Sequence, residues 1–271
     1  MDAVTITGTR AIAGQRGALA LVLAPRAGAT RTQARSAAAP LGAVNVGDVD
    51  GSGFAELRIT NPGGGVLGGD RLAVEITLAP RARATVLTQG ATRVYRGPEA
   101  RQRTVLELGA EAVLEYLPHH VIPFAGSSYR QRTLIRIDST ATLIAWEAFA
   151  AGRVLSGECF EFDLLSSRTR ILVDDVPVAI DGLELRGGGE PFEGCSYVGT
   201  LHVVAPGEAD GLARTLAGML DRVPGVLASA SAPTPRLCTA RVLARRAPDL
   251  HFALRACREA AREHLGLPAT R

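Results

Sequence analysis

Three stretches of this chain hold residues whose types and spacing could do chemistry. The first is NPGGGVLGGDRL, residues 61 to 72, in which Gly63 to Gly68 fits the G-x-G-x-x-G pattern letter for letter. That pattern cradles a pyrophosphate when it follows a strand and opens a helix. Here Asp70 to Leu78 alternates instead, with Leu72, Val74, Ile76 and Leu78 at every second position, so a strand follows and the helix is missing. Asp70 also sets a negative charge where phosphate would sit. After Glu75 the next carboxylate is Glu99, so the acid that would hold a ribose is missing too. The structural alternative is a tight, bulged reversal between two strands, in which Pro62 turns the chain and glycine supplies positive φ.

The second stretch is His119-His120, the one adjacent histidine pair, whose imidazoles suit nickel, copper or zinc. In an extended segment neighbouring side chains point to opposite faces. Both rings therefore reach one ion only at a kink, which Pro118 and Pro123 are placed to provide. An exposed or half-buried pair without metal stays open as the plainer alternative. His202, His251 and His264 occur singly and read as packing or surface residues. The third stretch is WEAFAAGRVLSGECFEFD, whose acids Glu147, Glu158, Glu161 and Asp163 could serve a hydrolase-like enzyme; alternation puts Glu161 and Asp163 on one face, where they line a polar groove or, as the commoner alternative, a plain solvated sheet face. No G-x-S-x-G elbow accompanies them.

The elements that must position these residues are strands. "ALALVLA", "FAELRIT", "RLAVEITLA", "ATVLTQG", "RTVLELG", "AVLEYLP", "RTLIRID", "ATLIAWEAF", "CFEFDLL" and "TRILVDD" follow one another with turns at Ala79-Pro80, Leu108-Gly109, Ala125-Gly126, Ala151-Gly152 and Asp181-Gly182. Strand after strand without a helix predicts an all-β body. The last quarter changes period. Ala209, Leu212, Leu216, Met219, Leu220 and Val223 recur at helical spacing, and so do Leu250, Leu254, Cys257, Ala261 and Leu265, with Asp249 as a cap. "RLCTARVLARR" reads as a strand between the two helices. The expectation is one domain over residues 1–271: a β-rich body over about 15–205 and an α/β part over about 206–271.

Composition narrows the function classes. With 271 residues, 46% of them hydrophobic, the chain can bury a sizeable core without staples. All 30 basic residues are arginine, a bias shared with abundant Ala and Gly, so a Walker lysine, a pyridoxal Schiff base and a lysine general base are excluded. A net charge of +3, with arginines scattered along the sequence, speaks against nucleic acid. Four dispersed cysteines form no C-x-x-C pair, and the start MDAVTITGTR has no apolar core of a signal peptide. The longest apolar run, Ala18 to Ala24, is too short to span a bilayer. A cytoplasmic, membrane-free protein with reduced thiols is expected.

Taken in order, NPGGGVLGGDRL, LTQGATRVYRG, LEYLPHHVIPFAG and WEAFAAGRVLSGECFEFD, with the ending RLCTARVLARRAPDLHFALRACREAAREHLGLPA, resemble the UreD (UreH) family of urease accessory proteins. The resemblance covers most of the chain. It implies a mainly β fold, a layered or helix-like β-sheet body with two C-terminal α-helices, and a non-catalytic maturation chaperone. It implies partners as well: urease apoprotein on one side and UreF on the other, with the GTPase UreG recruited through UreF to bring nickel. No tightly bound cofactor is implied, only nickel in transit along an internal, water-filled passage. Asp70, Gln89, Glu147 and Glu158 match the family's polar positions, and Arg93 stands where the family often has lysine. Asp70, Glu147 and Glu158 are then expected as transient nickel contacts. His119 and His120 join them on imidazole chemistry alone, since many members lack one or both, and Gln89, Arg93 and Tyr95 are further polar motif positions. Carboxylates spaced along a wet channel would hold nickel weakly enough to release it.

Overall fold

Period-two alternation gives each strand one face for a core, and the computed structural model, which describes residues 14–48 and 51–269, builds two stacked sheets on that rule. The stretch MDAVTITGTR lies outside the described residues. The chain opens with β1 (Arg16–Arg26), β2 (Ala29–Ala38), β3 (Gly42–Gly47) and β4 (Ala55–Thr60). It continues through β5 (Arg71–Leu78), β6 (Arg83–Thr88), β7 (Thr92–Val94), β8 (Ala100–Leu108), β9 (Val113–Leu117) and β10 (Val121–Pro123). Next come β11 (Ser128–Ile137), β12 (Thr142–Ala150), β13 (Leu164–Val173), β14 (Val176–Leu185) and β15 (Tyr197–Val204). Helix α1 (Ala209–Leu220), β16 (Val226–Thr234), β17 (Leu237–Ala244) and α2 (Ala247–His264) complete it.

One sheet has the order β14-β13-β11-β8-β5-β1-β2, and the other contains β16-β17-β15-β12-β9-β6-β4-β3. From β4 to β13 the chain coils, passing from one sheet to the other and back, and each strand pairs parallel with its equivalent in the next coil. The fold is thus mainly β, layered and coiled, with two helices near the C-terminus, as expected. At one end the coils close through short turns that recur about every 30 residues: Leu78 to Ala84, Leu108 to Leu114, Ile137 to Leu143. In each, the alanine four residues on (Ala82, Ala112, Ala141) is fully buried and returns its N–H to the carbonyl three residues before it. Only an apolar residue and that alanine recur from turn to turn, so the coils share no longer sequence repeat.

Between the sheets lies an apolar core built from inward residues such as Leu21, Ile76, Leu106, Leu114 and Ile135. Both helices cover the outer face of the second sheet, where Leu212, Leu216, Leu250, Leu254 and Cys257 pack on Ile144, Trp146, Leu201 and Val242. Strands β16 and β17 belong to that same sheet, so the C-terminal part continues the body.

Four local expectations change. Asp181-Gly182 is strand interior in β14, an edge strand where glycine and Pro177 are tolerated. Cys159 to Asp163 is irregular and β13 begins at Leu164, although Phe160 and Phe162 are buried while Glu161 and Asp163 are exposed. The reversal after β4 is a crossover between sheets, since β4 pairs with β6 and β5 with β1 and β8. Asp249 caps nothing: α2 begins at Ala247, and the Asp249 carboxylate takes the Arg246 guanidinium at 2.7 Å. Edge strands β2 and β16 escaped notice because ATRTQARSAA buries little, while VLASASAPT alternates in burial but with alanines in place of large apolar residues.

One charged contact ties α2 to the body. Glu115 of β9 is fully buried and meets Arg258 and Arg262 of α2, each at 2.6 Å, while Thr85 Oγ1 donates to it at 2.8 Å. Arg262 is buried too and stacks over the Phe54 ring. Burial works to raise the Glu115 pKa, but the two guanidiniums outweigh it and hold the carboxyl below the usual 4.5. A depressed folded pKa adds stability above the unfolded value that is lost as pH falls through the folded one. Glu115→Ala, which strands the buried Arg262 and leaves Arg258 with Glu259 alone, is expected to cost about 3–5 kcal/mol in denaturant unfolding at pH 7. Glu115→Gln is expected to flatten the acid limb of stability below pH 4.5, and an unchanged limb refutes that assignment.

Candidate functional site

Opposite the short turns, the coils close through four long connections, residues 61–70, 89–99, 118–127 and 151–163. They contain the four motifs read in the sequence, stacked in chain order. Val66 bridges Val94, donating to the Arg93 carbonyl at 2.8 Å, and β7 pairs with β10. The Gly69 N–H donates to Pro98 O at 2.8 Å, and Gly126 N–H to Glu161 O at 2.9 Å. Glycine is needed for this stacking. A Cβ on Gly65 (φ 153°) would sit 2.5 Å from Arg93 O, and one on Gly68 would sit 2.7 Å from Gly97 Cα. Side chains add a surface chain of contacts: Tyr95 packs edge-on to Phe124 at 5.0 Å, Arg153 lies over Phe124 at 4.6 Å, and Arg153 pairs with Glu158.

Under these connections the space between the sheets turns polar. The inward positions of β8, β11 and β13 change from Gln102 and Thr104 to Leu106 and Leu108, from Gln131 and Thr133 to Ile135 and Ile137, and from Ser167 and Thr169 to Ile171 and Val173. Register aligns Gln102 with Gln131 and Ser167, and Thr104 with Thr133 and Thr169, making two polar rows. Glu147 of β12 faces them. It accepts from Thr169 Oγ1 at 2.6 Å, Ser167 Oγ at 3.0 Å, Gln131 Nε2 at 3.3 Å and Thr133 Oγ1 at 3.5 Å. Among the described residues no cation pairs with it. Burial pushes the nearby Tyr116 phenol up to about 12 and raises Tyr129 as well, so both stay protonated donors.

Three cavities follow one another here. One of about 410 Å³ lies under the first two motifs and is lined by Asn61, Gly65, Gln89 and Arg93. It shares Thr88, Thr92, Gln102 and Tyr116 with a cavity of about 40 Å³ whose lining adds His119 and Glu147, room for water. Glu147 also lines the third, about 450 Å³, with Asp181, Thr200 and Arg241. There the contact with His202, 3.5 Å away, and the Arg241 guanidinium hold the Asp181 carboxyl below its usual range.

Comparison with known proteins adds the deciding observation. The family model described as UreD urease accessory protein matches residues 15–271. The chain belongs to the UreD family. Its relatives include the "Urease accessory protein UreD" of Mycolicibacterium gilvum, 34% identical over 80% of this chain and 82% of that one. That of Klebsiella pneumoniae subsp. pneumoniae is 35% identical over 69% and 68%. The protein of the same name from Actinomyces naeslundii is 39% identical over 52% of either chain, so the chain spans about half of that relative's length. UreD membership supports a role in urease maturation and, through relatives named accessory proteins, a non-catalytic one.

The other positions read from the UreD motifs separate. Gln89 and Arg93 are exposed at the first cavity, and Tyr95 reaches Gly64 O at 3.5 Å. Asp70 is 1% exposed, and its oxygens accept the Gln15 N–H at 2.8 Å and the Leu67 N–H at 2.9 Å. It clamps the glycine loop to the residue that leads into β1. Glu158 is held by Arg153, which keeps its carboxyl below the usual range, and accepts the Ala125 N–H at 3.3 Å. The histidines do meet. His120 Nδ1 lies 2.9 Å from His251 Nε2, and the His119 ring is edge-on to His251 at 5.6 Å. His251, read as a lone residue, is therefore the third member, brought in by α2. Among the described residues no group of three or more His, Cys, Asp or Glu forms a metal cage, and none of the helices is long and apolar enough to cross a membrane.

The polar rows were the signal missed in the sequence: Gln-x-Thr, Gln-x-Thr and Ser-x-Thr at inward positions of otherwise apolar strands.

Two outcomes follow from these contacts. Asp70→Ala removes the shared acceptor of two part-buried backbone N–H groups, at about 1–2 kcal/mol for each, and denaturant unfolding is expected to show that loss. Burial, with the neighbouring rings, pushes His120 and His251 down to about 4 from 6.5. The unfolded chain then binds protons that the folded one refuses, so stability is full above pH 6.5 and falls between 6.5 and about 4. His120→Asn is expected to make this limb shallower in pH-dependent unfolding, and an equal slope refutes the buried neutral pair.

Proposed function

We propose that the chain is a non-catalytic scaffold for urease maturation, acting in the cytoplasm. It holds the urease apoprotein and, through UreF, the GTPase UreG, and offers nickel an internal polar route during GTP-dependent loading. One observation carries the reading: Glu147 faces consecutive cavities with only neutral donors around it, leaving its negative charge for a passing cation. Oxygen and imidazole donors accept nickel, and an incomplete donor set releases it. Glu147 and His119, which line the same small cavity, are the nickel contacts of this proposal, with His120 and His251 beside them. Asp70 and Glu158, expected in the same role, have oxygens already committed to backbone donors and to Arg153.

The rival reading, a hydrolase-like enzyme on the acids from Glu147 to Asp163, gains nothing from the geometry. Glu147 points between the sheets, Glu158 is tied to Arg153, and Glu161 and Asp163 stand exposed on the connection.

Reconstitution of urease apoprotein with the accessory proteins, nickel and GTP tests the proposal. Glu147→Leu, which removes the charge and narrows the passage, is expected to lower activation and nickel content at least tenfold while the variant still co-purifies with urease. Full nickel content with Glu147→Leu refutes the route. Full activation with the chain left out refutes the scaffold.

A further inference from the structure

The arginines are scattered in the sequence, but sheet register gathers them. On the outer face of the first sheet, Arg103 of β8, Arg132 of β11 and Arg168 of β13 stand directly opposite one another on three neighbouring strands. Side chains on adjacent strands at one level are about 4.8 Å apart at the backbone, and like charges facing one another there oppose folding. All three are exposed, and among the described residues no carboxylate pairs with any of them. The row on one side and the row two levels away on the other carry carboxylates of their own, while the level between holds Val105, Leu134 and Arg170. In one, Arg101 and Arg130 share Glu99, and Arg130 also reaches Glu184 at 3.5 Å; in another, Arg136 lies between Glu107 at 3.7 Å and Asp175 at 3.6 Å. The unpaired file ends in Ala73 and Gly182, which offer nothing to block an approach. It lies in an open groove of about 570 Å³, on the face opposite the helices and outside the polar interior.

We propose that this file is a docking surface for an acidic helix of a partner protein. Carboxylates one helical turn apart lie about 5–6 Å from each other, close to the strand spacing, so Glu or Asp at i, i+4 and i+7 meets the three guanidiniums in turn. Arginine binds carboxylate through paired N–H donors, which adds direction to the attraction. Leu134, half-buried at the next level of the same face, gives such a helix an apolar contact beside its acidic stripe. Nucleic acid fits less well. Three charges across three strands cover a short track, and the groove lining contains no aromatic ring on which a base could stack.

Fluorescence anisotropy with the full chain tests this, using a stapled helical peptide with four glutamates on one face. The controls are a peptide of equal composition with its glutamates spread around the helix, and a single-stranded DNA of equal charge. The one-faced peptide is expected to bind at least tenfold tighter than either control, and to weaken between 50 and 300 mM salt by roughly the counterion effect of a few charge pairs. The triple change Arg103→Gln, Arg132→Gln, Arg168→Gln is expected to weaken it at least tenfold, whereas Arg136→Gln, taken from a neutralised row, leaves it unchanged. Thermal unfolding at low salt separates loss of binding from loss of fold. Removing the facing charges is expected to keep or raise the melting temperature, and the single Arg132→Gln is read if the triple variant melts lower. Equal affinity for the two peptides, tighter binding of DNA, or full binding by the folded Gln variants overturns the proposal.

Discussion

Close backbone approach at the motif end is the constraint on which everything else rests. Four long connections stack within hydrogen-bond distance only because Gly65 and Gly68 present no Cβ toward Arg93 O and Gly97. Gly152 plays a like part inside the fourth connection, where a Cβ would approach Glu158 O to 2.6 Å. This stacking sets the height of each coil, and with it the register by which Gln102, Gln131 and Ser167 come into one row. A glycine pattern that reads as a phosphate loop thus does its work between strands: it brings peptide groups together, and Asp70 locks the result from beneath.

Two glutamates on one sheet show how differently a carboxylate can be accommodated. Glu115 points outward under α2, where two arginines neutralise it and its loss would strand the buried Arg262. Glu147 points inward, where amide and hydroxyl donors solvate it without neutralising it. The first arrangement is a structural tie, since a buried charge with matched partners fixes where α2 docks. The second leaves the carboxylate unmatched by any cation of the chain and places it beside room for water.

Much of the architecture was legible because alternation and helical spacing are local properties. Leu72 to Leu78 declared a strand, and Leu250 to Ala261 declared a helix face that is now fully buried. What escaped depended on pairing between distant segments. His251 joins His119 and His120 only because α2 crosses the outer face of the second sheet. Thr169 and Glu147 meet only because their strands face one another across the core. Edge strands β2 and β14 were silent for a related reason: with one neighbour each, β2 buries almost nothing and β14 only half-buries Val178, Leu183 and Leu185, so the demand for alternation is weak.

The arginines make the same point in reverse. Read along the chain, their even scatter argued against any concentrated charge, yet a strand repeat near 30 residues returns Arg103, Arg132 and Arg168 to one level of one face. In a coil of parallel strands, residues one turn apart in sequence become neighbours in space. Charge density must therefore be counted across the rungs, and a near-neutral chain can carry a cationic stripe that no sequence window contains. Since facing like charges oppose folding, a stripe left without carboxylates of its own marks a place where the fold tolerates repulsion that an outside carboxylate can relieve.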